Sequence, residues 1–327
     1  MSKIGKFVPG LIKQPIVSIV NGCGRLKGKI YLAARSGKIW FPDKAFQKWD
    51  YKVNTGRKLS FKNPTLYQEK LQWMKYYYHN PLYTKLVDKY EVKAWVADRI
   101  GKEHVTETYG IYDSYDEIDF GELPERFVIK CTHDSGSVVL CLSKSEGQFK
   151  NKDGATLNIS SVRDLINKGL KQNHFYLSRE WPYKNVKPRI IIEEYLHDDV
   201  LSDPPDYKFF CFEGIVKVFQ VNSDRMSNTG TKTNFYRRDW TLIDMEEAEY
   251  GNNPLPDNKP NRFDEMLGLA ETLSKGMPHV RVDFYYINNN VYFGEMTFYH
   301  CGGRRLFKPF EYNVEFGKWI QLPHKIR

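Results

Sequence analysis

Two acidic residues near the end of the chain, Asp283 and Glu295, stand where a hairpin can bring them together. They lie in short β-type runs, Val280 to Ile287 and Val291 to Thr297, separated by Asn288, Asn289 and Asn290. A three-residue loop pairs Ile287 with Val291. Asp283 then falls opposite Glu295, and Arg281 opposite Thr297. Directly opposed residues have Cβ atoms about 4.5–5.5 Å apart, and like charges so placed destabilise a sheet. A hard divalent cation with oxygen ligands would relieve the repulsion. Solvent would too, with Arg281 as partner. The two readings stand level on geometry, and a two-residue loop would slip the register and dissolve the pair.

A second candidate is the polar loop Thr132 to Ser137, between the β-type runs Phe127 to Cys131 and Val138 to Leu142. Lys130 precedes it and Lys144 follows the return run. A tip rich in Gly and Ser can turn backbone N–H groups toward a phosphate, and lysines at the strand ends add point charges. On its own such a loop reads first as a plain hairpin. Sharper motifs are missing: no phosphate-binding G-x-x-x-x-G-K-[ST], no G-x-S-x-G and no H-E-x-x-H. No two aspartates stand two apart, so the D-x-D of many nucleotide-sugar transferases is lacking too. The five cysteines at 23, 131, 141, 211 and 301 form no C-x-x-C pair, and buried thiols outrank a disulfide framework or a zinc site.

The elements that must carry these residues can be placed from periodicity and breakers. Asn63-Pro64 predicts a helix start, with Leu66, Leu71 and Met74 striping the stretch to Tyr78. A second helix is predicted from Pro81 to Ile100, with Leu82, Leu86, Val92, Trp95 and Val96 inside and Gly101 as its stop. Arg189 to Leu196 reads as a strand. Asp206 to Phe212 and Ile215 to Val221 flank a Glu213-Gly214 hairpin turn. Asn261 to Lys275 is helical, with Phe263, Met266, Leu267, Ala270 and Leu273 on one face. The body is α+β with antiparallel hairpins.

Composition bounds the class. Hydrophobic residues make up 41% of the 327, enough for a core and against a disordered chain. Residues 1–100 hold 20 Lys and Arg against 6 Asp and Glu, whereas residues 101–327 hold 29 against 34. A basic first third on a slightly acidic body suggests a polyanionic partner. No run approaches the roughly 20 apolar residues of a membrane span, and the expectation is a soluble, cytoplasmic protein. Residues 4–20 read as a surface helix, with a membrane-surface segment as the second choice.

The segments Thr55 to Lys58, Glu69 to Trp73, Leu86 to Tyr90, Asp116 to Phe120 and Leu123 to Lys130 come in a suggestive order. Lys187 to Leu196, Asp206 to Phe210, Val280 to Phe284 and Phe293 to Phe298 continue it. Together, over about residues 55–325, they resemble the TupA-like ATP-grasp family associated with bacterial surface polysaccharide synthesis. The resemblance implies an ATP-grasp fold, two α+β subdomains clasping ATP, preceded by a basic, largely helical region. The division it suggests is an extension at 1–54, a helical lobe at 55–122 and a nucleotide-binding region at 123–327.

It also implies roles. Lys130 would contact the α- and β-phosphates, and the loop with His133, Ser135, Gly136 and Ser137 would cover the β/γ-phosphates, Lys144 assisting. Glu193, Glu194, Tyr195 and Leu196 match the hinge strand at the adenine, with Asp206 a candidate nucleotide contact. Lys208 would face the γ-phosphate, with Arg281 beside it in catalysis. Asp283 and Glu295 match the ligands of two Mg²⁺ ions, with Mn²⁺ as alternative. Thr297 stands where many such enzymes have Asn. Arg304 and Arg305 are candidates for holding a substrate carboxylate.

The implied activity is ATP-dependent carboxylate–amine ligation through an acyl phosphate, joining a uronic acid to an amino acid or other amine. The expected partners are an acidic glycan, nucleotide-sugar or lipid-linked sugar and a small amine, with peripheral contact to membrane-bound polysaccharide machinery at the inner face. A glycan kinase is the alternative within the same site. A nucleic-acid-binding protein is the alternative of another class, prompted by the basic, aromatic first third.

Overall fold

The computed structural model describes residues 24–201, 203–223, 230–247 and 251–326. The surface helix expected at 4–20, and Cys23, lie outside the described residues. The four described cysteines are free, three of them buried.

The first helices are α1 (Gly24–Arg35) and α2 (Asp43–Thr55), whose Tyr31, Ala34 and Phe46 form a small core of their own. Helix α3 (Tyr67–Tyr77) starts later than Asn63-Pro64 suggests. Glu69 reaches back to accept from the Thr65 and Leu66 N–H groups at 2.9 and 3.1 Å, so the capping acid sets the start. The helix expected from Pro81 to Ile100 is two, α4 (Pro81–Val87) and α5 (Glu91–Ile100). Asp88 breaks it by accepting from the Tyr90 and Glu91 N–H groups at 2.8 and 3.3 Å. Leu82, expected inside, is exposed on the first of these pieces.

Strand β1 (Thr108–Tyr112) precedes β2 (Phe127–Cys131), β3 (Val138–Ser143), β4 (Gln148–Asn151) and β5 (Thr156–Leu157). Helices α6 (Ile159–Leu170) and α7 (Phe175–Ser178) lead to β6 (Ile190–Glu194). These strands form one antiparallel sheet in the order β1-β6-β2-β3-β4-β5. Helix α6 lays Val162 and Ile166 on the core of that sheet, against Phe127, Ile129, Val139 and Ile192.

The second sheet comes from β7 (Asp206–Phe212), β8 (Ile215–Ser223), β9 (Lys232–Arg237) and β10 (Leu242–Ile243). After β11 (Glu246–Glu247) and helix α8 (Phe263–Ser274), strands β12 (His279–Ile287) and β13 (Asn290–Thr297) complete it. Its order is β10-β9-β8-β7-β12-β13. Helix α8 buries Phe263, Met266, Leu267, Ala270 and Leu273, the face its 3.6-residue period marks. Strand β14 (Phe307–Lys308) pairs with β11, and helix α9 (Glu311–Trp319) packs on α3.

The hairpin β12–β13 turns on two residues, not three. Asn288 and Asn289 have φ of 46° and 62°, and Ile287 pairs with Asn290. That register alone would separate the acids. A bulge at Gly294 restores it: Phe284 faces Phe293, but Asp283 faces Glu295 and Arg281 faces Thr297. A Cβ on Gly294 would lie 3.1 Å from the Asp283 carbonyl oxygen. The turn is tied to the segment leaving β6. Asn288 N–H donates to Asp198 Oδ2 at 2.9 Å, and the Asp199 N–H donates to Asn288 Oδ1 at 3.0 Å.

Candidate active site

Alternation along β12 puts Arg281 and Asp283 on one face, and β7 lays Lys208 directly beside Asp283. The Asp283 carboxylate takes a two-pronged bond from Arg281, Nε to Oδ1 at 2.7 Å and NH2 to Oδ2 at 2.6 Å. Lys208 Nζ adds a third contact to Oδ2 at 2.8 Å and lies 2.7 Å from Asp206 Oδ1. Arg281 also donates to Glu295 Oε1 at 2.8 Å and to Thr297 Oγ1 at 3.0 Å. Thr297 in turn donates to Glu295 Oε1 at 2.9 Å, so its hydroxyl bridges guanidinium and carboxylate. Burial disfavours charge on Arg281 and Lys208, but Asp283 with Glu295 for the first, and Asp206 with Asp283 for the second, outweigh it. Both cations are held charged beyond their ordinary range.

Lys130 projects from β2 of the other sheet. It pairs with Glu193, its diagonal neighbour on β6. Lys93 from α5 takes the second Glu193 oxygen at 3.0 Å and donates to Thr106 O and Thr108 Oγ1. Burial would raise the Glu193 carboxyl, yet the two lysines hold it below the ordinary range. Lys89, placed by the break between α4 and α5, donates to the Asp134 carbonyl. Glu295 acts electrostatically on Lys130, which the other sheet carries, and on Lys89. Lys93 and Lys89 were not singled out in the sequence. Lys89 belongs to the Leu86 to Tyr90 segment that carries the resemblance, but only the tertiary fold shows that it and Lys93 come to the strands.

Other sequence candidates take different places. His133 turns inward, its Nε2–H donating to the Gly169 and Gln172 carbonyls at 3.2 and 2.9 Å. The loop closes on itself, with Ser137 Oγ donating to Asp134 Oδ2 at 2.6 Å, and Ser135 and Gly136 stay exposed. Lys144 does not flank this loop. The β2–β3 pairing puts Phe127 beside Cys141, so Lys144 lies at the opposite end of the hairpin and donates to the Leu123 carbonyl. Glu194 accepts from the Glu107 N–H, and Tyr195 and Leu196 follow half-buried. Arg304 donates to the Cys301 carbonyl at 3.3 Å and lies 3.9 Å from Asp50, and Arg305 lies 3.4 Å from Glu247.

Behind Arg281 stands a group without a sequence signature. Arg281 NH1 lies 2.8 Å from His300 Nδ1, and His300 Nε2 lies 3.2 Å from the buried Glu247. Arginine can only donate, so Nδ1 accepts and Nε2 carries the proton toward Glu247. Cys301 donates to the same carboxylate oxygen at 2.9 Å. Glu247, His300 and Cys301 are close enough to suggest a metal site, but the Nε2 proton occupies the ligand position. His300 instead buttresses the guanidinium.

A family model described as TupA-like ATPgrasp matches residues 69–321. None of the curated proteins matches the chain. Among solved structures, D-alanine–D-alanine ligase from Helicobacter pylori is similar at 14% identity and a TM-score of 0.37, covering 72% of this chain and 61% of that one. The ATP-grasp ligase PsnB complexed with minimal precursor is similar at 10% identity and a TM-score of 0.37, with coverages of 71% and 58%. A RiPP-associated ATP-grasp ligase from Chryseobacterium gregarium, in complex with ADP and a leader and core peptide, stands at 12% and 0.34, with 67% and 54%. The chain thus spans less than two thirds of the length of these structures.

Proposed function

Because the chain belongs to the TupA-like ATP-grasp family, we propose that it is an ATP-dependent carboxylate–amine ligase acting on a sugar. The observation that carries this reading is the opposed pair Asp283 and Glu295, flanked by Lys208 and Arg281. ATP would lie between the two sheets, its phosphates reached by Lys130 from one side and Lys208 from the other. The β6 hinge segment Glu194 to Leu196 would meet the adenine.

Asp283 and Glu295 would hold Mg²⁺. Their oxygen-only donor set fits a hard cation, and Glu295 is half-exposed and open to a ligand on its outer side. When bound, magnesium supplies charge neutralisation for the phosphates. In the proposed first step the acceptor carboxylate attacks the γ-phosphorus, an acyl phosphate forms and ADP leaves. Lys130, Lys208 and Arg281 stabilise the negative charge that gathers on the phosphoryl oxygens. His300 and Glu247 keep the Arg281 plane fixed, so its donors need no reorganisation. In the second step an amine displaces phosphate and leaves an amide. Closure of the 133–137 loop would keep water from the acyl phosphate.

The acceptor in this reading is a uronic acid, free, nucleotide-linked or lipid-linked, in surface-polysaccharide synthesis, and Arg304 and Arg305 are the residues offered to its carboxylate. Among the described residues no helix is long and apolar enough to cross a membrane. The deciding experiment is an ADP-release screen of uronic-acid derivatives against amine donors, read by product mass. A product heavier by the amine less water supports ligation. ADP release with a phosphorylated sugar and no amide would replace it by a kinase.

A further inference from the structure

A second concave site lies away from the nucleotide cleft. A cavity of about 390 Å³ opens between α2, α3, α7 and residues 181–184, a size within the usual range of about 300–1,000 Å³ for small-ligand sites. Three lysines line it: Lys44, Lys75 and Lys184. Lys44 Nζ meets the Tyr77 hydroxyl at 3.0 Å and the rings of Phe61 and Tyr76, and Lys184 lies over Phe175. Lys75 Nζ donates to the Ser178 and Gly302 carbonyls, each at 2.7 Å. None of the three forms an ion pair with a carboxylate among the described residues. The one acid on the wall, Asp43, is already matched by Arg179 at 2.9 Å.

Aromatic side chains, Tyr76, His79, Phe175 and Trp181, line part of this cationic cavity. The rings of His79 and Trp181 stack 4.7 Å apart at 8°. Flat rings accept the C–H face of a pyranose, and unpaired ammonium groups accept its carboxylate. Lys75 also links the cavity to the segment that carries His300. Gly302, which receives Lys75, is two residues from His300, and His300 holds Arg281.

We propose that this cavity is a binding site for an acidic sugar of the acceptor chain, a uronate ring set against Trp181 with its carboxylate on Lys44 and Lys184. The site gives the basic first third of the chain a defined ligand, since Lys44 and Lys75 both come from it. The choice of an acidic sugar rests on the ligase reading above, but its binding needs no nucleotide.

The test titrates the full chain, without ATP, with trigalacturonate, maltotriose and a short oligothymidylate, following tryptophan fluorescence and calorimetry. Trigalacturonate should bind at least about tenfold more tightly than maltotriose, and Lys44→Gln with Lys184→Gln should weaken it by about tenfold or more. Melting temperature and MgATP affinity should stay unchanged in that double variant. Equal binding of maltotriose, or undiminished binding in the double variant, overturns the proposal. So does an oligothymidylate that binds more tightly and loses its affinity in the double variant. Intact uronate binding with no ADP release for any amine leaves this site standing and removes the ligase reading. ADP release with no uronate binding here does the reverse.

Discussion

At the residue scale the site is built from charges that satisfy one another before any ligand arrives. Asp283 stands between Arg281 and Lys208, and the isosteric change Asp283→Asn keeps the packing while removing the charge. ATP turnover should fall by at least about 10²-fold with the circular-dichroism spectrum kept, and near-normal turnover would remove Asp283 from the site. Lys75 offers a test by pH. Burial lowers its pKa from the ordinary 10.5 to about 7. Between those values the unfolded chain binds more protons than the folded one, so this group makes stability rise with pH, by at most about 1.4 kcal/mol per unit. Lys75→Met should remove that contribution. Denaturant titrations from about pH 7.5 to 9.5 should show a shallower upward slope than the parent, and identical slopes would contradict the lowered pKa of Lys75.

At the element scale the decisive feature is the bulge at Gly294. The sequence gives no direct sign that the Asn turn holds two residues, and the pairing of Asp283 with Glu295 arises from a bulge, not from the loop length that suggests it. Glycine inside a strand is the signal that could have found it. Gly294→Val would push a branched side chain toward the Asp283 carbonyl and Tyr285. It should cost about 1 kcal/mol or more in stability and lower turnover disproportionately, because the acids lose their register. Equal loss in both measurements would mean the bulge serves folding alone. Periodicity made β2, β7, β8, α8 and the hairpin legible. It could not show that Asp88 divides one helix into two, since a mid-helix Asp competes for backbone N–H groups only when tertiary packing favours the break. Lys89, though inside the Leu86 to Tyr90 segment, and Lys93 drew no role from the sequence, because their partners come from distant strands and loops.

At the scale of the whole molecule, two antiparallel sheets carry the site, Lys130 on one and Asp283, Glu295 and Lys208 on the other. A ligand held between them should stabilise the chain as a unit. Saturation with MgATP at 100 times its Kd should add about 2.7 kcal/mol, read as a rise in melting temperature that chelation with EDTA largely reverses. No rise would separate the acid pair from nucleotide binding. The charge asymmetry of the chain belongs to this scale as well. Lys89 and Lys93, from the basic first third, reach the Asp134 carbonyl and Glu193 beside the proposed nucleotide cleft, and Lys44 and Lys75 line the second cavity.

The tie between Asn288 and Asp198 has a mechanical consequence. It fastens the tip of the acid-bearing hairpin to the segment leaving the opposite sheet, while Asp283 lies midway along β12 and Glu295 opposite it on β13. Four residues of β12 separate tip and acids, an arm of about 13 Å at strand rise. Because β12 is also paired with β7 along its length, the hairpin moves only with its whole sheet, and a turn of that sheet by about 10° on this fulcrum carries the carboxylates about 2 Å. Movements small enough to leave the sheets intact are therefore large enough to make or break a ligand contact.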